Sequence, residues 1–153
     1  MARRTRAREV ALQVLYETDR NPQVPGDLDR RFIEQRLRGS DLRRFAGELV
    51  SGVRAQREPL DRLIQQVAEN WSVSRMSPVD RNILRLAAYE IVFREDTPPK
   101  VAIDEAIQLA KRYGTADSPR FVNGLLDRIL ATHPRPVPPE RASSTEEPLG
   151  VDH

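Results

Sequence analysis

The stretch at residues 77–92 is the most apolar part of the chain, and its apolar residues do not keep to one stripe. They cover most of a helical circumference: Val79, Ile83, Leu84, Leu86, Ala87, Ala88, Ile91 and Val92. Ser77 is a candidate N-cap, Pro78 suits the first helical position, and the Asp80 carboxylate can bond back to the cap. A helix that is apolar nearly all round is buried among other helices. It is also too short to cross a membrane. We therefore predict the central helix of an all-α domain.

Six more helices are predicted from apolar residues at helical spacing, for about seven in all. They are expected at about 3–19, 27–37, after Ser40, from Pro59 to near Trp71, after Pro98 and Pro99, and from Asp117 or Ser118 to about Leu130. Gly39 is expected to end the second helix, Ser40 to cap the third, and Gly114 to end the sixth. Asp117 or Ser118 is expected to cap the seventh. Because strand-like alternation is lacking, the predicted fold class is all-α.

The chain has 153 residues, which suits a single domain with a core of its own. From Pro134 onward it becomes rich in Pro, Ser and Glu and has almost no large apolar residue. Such a segment cannot bury enough surface to offset the entropy lost on ordering. We therefore predict a helical domain at residues 1–133 and a disordered tail at 134–153.

The residue types that support catalysis are scarce. There is no cysteine, which excludes disulfides and thiolate chemistry and agrees with a cytoplasmic location. The two histidines, His133 and His153, lie at a predicted helix end and at the last position. Glu90 stands out because it lies within the most apolar helix; an ion-paired structural carboxylate is the favoured interpretation, and a catalytic one is the alternative. No enzyme activity, metal or cofactor is predicted, and neither a secretory signal nor a membrane span is recognisable.

The positive charge is concentrated at the N-terminus. The net charge is only +2, but four arginines fall within the first eight residues: Arg3, Arg4, Arg6 and Arg8. Arginines on the first turns of a helix suit contacts with phosphates. The alternative is a solvated, frayed terminus.

A second candidate segment lies at residues 116–124. Here a helix start, Arg120, Phe121 and an Asn123-Gly124 pair lie together. A helix N-terminus offers free N–H groups to anions, and an aromatic ring can stack on a base. The alternative is that Phe121 belongs to the core of the last helix.

Four motifs in register resemble the NusB family of transcription antitermination factors. They are Arg-x-Arg-Ala-Arg-Glu with Ala-Leu-Gln-Val-Leu-Tyr, Val-Asp-Arg-Asn-Ile-Leu-Arg-Leu-Ala-Ala-Tyr-Glu, Lys-Val-Ala-Ile-Asp-Glu-Ala-Ile-Gln-Leu-Ala-Lys, and Phe-Val-Asn-Gly-Leu-Leu-Asp. The resemblance runs from about Arg3 to Leu130. It implies two small helical bundles packed together. It also implies binding of boxA-type single-stranded RNA with NusE, a small-subunit ribosomal protein, in the RNA polymerase antitermination complex that acts during ribosomal RNA transcription.

The resemblance also implies which residues form the sites. The implied RNA-binding residues are Arg4, Arg6 and Arg8 in the arm, with Asp117, Arg120, Phe121 and Asn123 in the later segment. The residues implied to face NusE are Asp80 and Arg81. Asp80 departs from the glutamate of the family pattern and has a shorter reach.

The sequence has two alternative interpretations. NusB-like domains also occur in ribosomal RNA cytosine methyltransferases, but those need a further nucleotide-binding domain and catalytic cysteines, which this chain does not have. The other is a homodimeric helical protein-interaction module without intrinsic RNA binding, in which a dimer covers the basic arm. Binding of a boxA-like RNA, and its tightening by NusE, distinguishes the module from the RNA-binding factor.

Overall fold

A computed structural model describes residues 2–21 and 27–133, with side chains described at 4–21 and 29–133. These residues form seven α-helices and one short 3-10 helix, and no strand occurs among them, which confirms the all-α prediction. The helices are α1 Ala2–Arg20, α2 Asp27–Arg36, α3 Ser40–Ala55, α4 Arg57–Val67, α5 Pro78–Phe93, α6 Pro99–Tyr113 and α7 Ser118–Thr132, with the 3-10 helix at Val73–Arg75. The predicted tail at 134–153 lies outside the described residues.

Helix α5 is the centre of the molecule, as its apolar circumference predicts. It packs against α1, α3, α4, α6 and α7. Its Ile83, Leu84, Ala88 and Ile91 have no solvent-exposed surface. Helices α1, α2 and α3 pack against one another, and α7 packs against both α4 and α6. This arrangement agrees with the two small bundles implied by the family resemblance.

The start of α5 is capped largely as expected. Pro78 is its first residue, and the Ser77 hydroxyl accepts a hydrogen bond from the Asp80 backbone N–H at 3.1 Å. The expected return bond from the Asp80 carboxylate is not formed: its Oδ1 is buried and has no hydrogen-bond partner among the described residues. The aspartate side chain is one methylene shorter than the glutamate preferred for this bond.

Three predicted helix boundaries were wrong. Gly39, with φ of 93°, is itself the residue before α3, and Ser40 is already helical. Helix α4 begins at Arg57, two residues before Pro59, because a proline in the first turn has no intrahelical bond to lose. It ends at Val67 and not near Trp71, since Glu69 adopts a left-handed φ of 33°. Trp71 is 53% exposed and lies outside the core.

Candidate nucleic-acid interface

Two of the three arginines predicted in the arm lie on the surface. The Arg4 and Arg6 side chains are 50% and 45% exposed. The Arg4 guanidinium carbon lies 4.1 Å from the centre of the Phe45 ring, and its Nη1 lies 3.9 Å from an Asp96 oxygen. Arg6 donates a hydrogen bond to Glu9 at 3.1 Å. The arm is therefore the beginning of α1 itself, held against the domain, and both guanidinium groups keep free surface for an anion.

The assignment of Arg8 to this surface needs correction. Arg8 is 3% exposed, and its guanidinium donates two hydrogen bonds to the Glu90 carboxylate, at 2.9 and 2.8 Å. Thr97 donates a further bond to Glu90 at 3.1 Å. Arg4 and Arg8 lie one turn apart, but α5 and α6 cover α1 at Arg8. The sequence alone does not show which residues of α1 are covered by other helices. The same contacts confirm Glu90 as an ion-paired structural carboxylate.

A third exposed arginine, absent from the sequence prediction, lies beside the arm. Arg112, at the end of α6, is 67% exposed and donates a hydrogen bond to Glu9 at 2.7 Å. Glu9 is nearly buried and accepts from Arg6 through its other oxygen. Thr5 and Glu105 form a second hydrogen bond between α1 and α6, at 3.0 Å. In the sequence, Arg112 is noticeable only as one of two basic residues in the last turn of a helix. Such pairs are common because the helix dipole favours positive charge there, so the pair does not indicate a binding site.

The second candidate segment forms the beginning of α7. Asp117 and Arg120 are exposed, and Arg120 forms no hydrogen bond or ion pair within residues 4–21 and 29–133. Phe121 is partly buried against the core, so it has the packing role of the alternative interpretation and is also partly accessible to solvent. Asn123 is also partly buried. Of the two predicted caps, Asp117 is the residue before the helix, whereas Ser118 is buried and its hydroxyl accepts from the Thr115 N–H at 2.9 Å.

The residues predicted to face a protein partner have different surroundings. Asp80 is partly exposed. Arg81 is held inside the protein by Asp19, to which its Nε donates a hydrogen bond at 2.7 Å, and by the Met76 carbonyl at 3.2 Å. The Arg81 side chain is only 18% exposed. Its guanidinium therefore stabilises the beginning of α5 and offers little free surface.

Asp19 is the centre of a polar network that the sequence prediction missed. Its carboxylate accepts hydrogen bonds from Arg81, Asn82 and Arg85, and Arg85 also forms two bonds to Asp61 at 2.7 and 3.1 Å. Burial by itself raises the pKa of Asp19, but the hydrogen bonds from Arg81 and Asn82 and the charges of Arg85 and Arg81 hold it below its ordinary value of 3.8. Asp19 is therefore ionised at neutral pH and ties α1 to α5.

The described residues contain no group of three or more His, Asp or Glu side chains placed to hold a metal ion. Among the same residues, no helix has the length and hydropathy that a membrane span requires.

Comparison with known proteins identifies the family. The sequence model described as NusB family matches residues 5–131. The transcription antitermination protein NusB of Trichlorobacter lovleyi is 48% identical over 131 residues, covering 86% of this chain and 92% of that protein. NusB of Geobacter sulfurreducens is 44% identical over 135 residues, covering 88% and 98%.

Solved structures agree in fold. A structure of T. maritima NusB shares 37% identity and a TM-score of 0.78, covering 92% of this chain and 96% of that one. A crystal structure of the antitermination factors NusB and NusE in complex with dsRNA shares 30% identity and a TM-score of 0.78, covering 86% and 98%. Fold, surface and relatives define the class as a non-enzymatic, all-helical family of RNA-binding transcription factors. The chain belongs to the NusB family.

The burial of Arg8 leads to a testable prediction about stability. Arg8→Met leaves the Glu90 carboxylate buried without its cation, and we expect a loss of about 3–5 kcal/mol in the free energy of unfolding, measured by urea denaturation. Arg8→Met with Glu90→Leu removes both charges and should recover much of that loss. Arg4→Gln, at a half-exposed site, is the control and should change stability little. An Arg8→Met variant as stable as the parent would contradict the structural role.

Proposed function

We propose that this protein is a transcription antitermination factor that binds boxA-type single-stranded RNA together with NusE, in the RNA polymerase antitermination complex during ribosomal RNA transcription. Membership of the NusB family supports antitermination, and the related complex of NusB and NusE with dsRNA supports RNA and NusE as partners. We also propose that this protein prefers single-stranded boxA RNA. A transcription factor of bacterial type acts in the cytoplasm, and we propose that location here.

The observation that carries the proposal is that both candidate segments present exposed arginines, with a partly exposed aromatic residue in the second. Arg4 and Arg6 at the start of α1 keep exposed guanidinium groups for phosphates. Arg120 and the partly exposed Phe121 at the start of α7 offer a further cation and an aromatic ring for base stacking. Asp117 and Asn123, beside them, are proposed to hydrogen-bond exposed base edges.

Asp80 is the proposed contact with NusE. It is partly exposed at the start of α5, although its Oδ1 is buried. The part of the carboxylate that solvent reaches can accept a hydrogen bond from a partner protein. Arg81 is proposed to act through Asp19, by holding the start of α5 in place.

The arm prediction concerns salt dependence. For single-stranded nucleic acid, each neutralised phosphate contributes about −0.7 to the slope of log affinity against log salt. Replacing Arg4 and Arg6 with Gln should flatten the slope by up to about 1.4 if each neutralises its own phosphate. The measurement is fluorescence anisotropy with a boxA-like RNA over a salt series, with NusE present. Arg30→Gln with Arg38→Gln, at exposed positions of α2 and the turn after it, is the control for charge. An unchanged slope in the arm variant would remove the arm from the RNA site.

A parent protein that forms a homodimer and does not bind RNA would favour the homodimeric module.

The Phe121 prediction separates stacking from packing. Phe121→Leu keeps an apolar side chain but loses the ring, and we expect RNA affinity to fall by about 1–3 kcal/mol at every salt concentration. The slope should stay that of the parent, since no charge is lost. A thermal melt of the same variant tests the core role. Lower stability together with parental RNA affinity would make Phe121 a core residue only.

The partner prediction concerns Asp80. Asp80→Lys reverses the charge at the proposed contact and should weaken NusE binding in titration calorimetry while the helical circular-dichroism signal is retained. Glu34→Lys makes the same change of charge on the exposed face of α2 and is the matched control. Equal NusE affinities for Asp80→Lys and the parent would exclude Asp80 from the interface.

A further inference from the structure

We propose that Arg6 and Arg112, both held by Glu9, form a binding site for a backbone phosphodiester of the RNA and connect the arm to the start of α7. The proposal rests on the function proposed above and adds to it a residue, Arg112, and a stated ligand group. The sequence places Arg6 and Arg112 more than a hundred positions apart, and the packing of α1 and α6 against α5 brings them together at Glu9.

The geometry of the site is that of one carboxylate between two cations. Glu9 is nearly buried, and each of its oxygens accepts one arginine: Oε1 from Arg6 at 3.1 Å and Oε2 from Arg112 at 2.7 Å. A guanidinium has five N–H donors. Within the described residues each of these two uses one donor, so most of their hydrogen-bonding capacity faces solvent, where the side chains are 45% and 67% exposed.

The site has a net positive charge that an anion can neutralise. The two guanidinium groups and the Glu9 carboxylate sum to one positive charge. Glu105, two turns before Arg112 on α6, accepts from Thr5 and lies 3.8 Å from Arg8. A phosphodiester carries a single negative charge and several acceptor oxygens, so it matches both the residual charge and the free donors.

Glu9 also prepares the two arginines for binding. A free arginine on a surface loses rotamer entropy when it closes on a ligand, about 0.5–1.5 kcal/mol for each side chain that becomes ordered. Here the buried carboxylate already restricts both side chains, because leaving it without a cation would be costly. Arg6 and Arg112 are therefore held close together before RNA arrives.

The position of Arg112 explains how two separate segments form one surface. Arg112 lies in the last turn of α6, and only the four residues Gly114–Asp117 separate α6 from α7. The hydrogen bond between Thr115 and Ser118 keeps this connection short and folded. The end of α6 is thus in contact with α1 through Arg112 and Glu9, and it is joined to the start of α7 by this short connection. An RNA strand that touches both segments passes the Arg6 and Arg112 pair.

The test uses the full chain with NusE and a short boxA-like RNA. Arg112→Gln removes the charge while Arg6 remains as the cation that pairs with Glu9, and it should flatten the salt slope by about 0.7. Arg38→Gln, at an exposed site in the turn after α2, is the matched control and should keep the parental slope. A thermal melt of each variant verifies that the affinities compare folded proteins.

A second measurement locates the phosphate. A series of RNAs, each with one neutral methylphosphonate linkage, is titrated against the parent and Arg112→Gln. One linkage should weaken binding to the parent and have a smaller effect on the variant. Equal effects of every linkage on both proteins, with equal salt slopes, would overturn the Arg112 site while leaving RNA binding by the parent intact. A parent that does not bind the unmodified RNA would instead refute the proposed function.

Discussion

The structure depends on the burial of α5 on nearly every side, and on the ionic contacts that fix its position there. The buried residues of α5 include polar as well as apolar ones, and each buried polar residue binds a side chain of another helix. Glu90 binds Arg8 of α1, and Arg85 binds Asp61 of α4. Apolar packing alone tolerates small shifts along a helix, whereas a bidentate pair between fixed backbones does not. We infer that these pairs align α1 and α4 with α5.

This constraint also determines which arginines are available to RNA. Arg8 binds Glu90 and so aligns α1 with α5, whereas Arg81 and Arg85 bind the Asp19 carboxylate. Arg4, Arg6, Arg112 and Arg120 keep most of their donors toward solvent. Arg8 lies in the same helix as Arg4 and Arg6, and the difference between them is whether a neighbouring helix covers the position. A count of arginines in the arm therefore overstates the number that are exposed to solvent.

Three arginines, one from the exposed start of α1, surround the Phe45 ring. Arg4, Arg8 and Arg94 place their guanidinium carbons 4.1, 5.2 and 5.2 Å from its centre. The Arg94 hydrogen bond holds the pKa of Asp96 below its usual range, and Arg4 lies near the same carboxylate. The exposed start of α1 is therefore held by an aromatic ring and a fixed anion. This support limits fraying of the arm, so that less ordering is needed when RNA binds.

The sequence by itself determined the all-α class, the central helix, the helix at each apolar stripe and the family, because helical periodicity and local motifs are properties of neighbouring residues. It also identified Glu90 as an ion-paired structural group, since a carboxylate in an apolar helix needs a partner. Only the tertiary structure decided which partner that was, and that Arg8 was therefore buried. It likewise revealed Arg112 beside Arg6 and the network of Asp19. These contacts join helices distant in the chain, and neither the charge of a residue nor its spacing shows which neighbour will cover it.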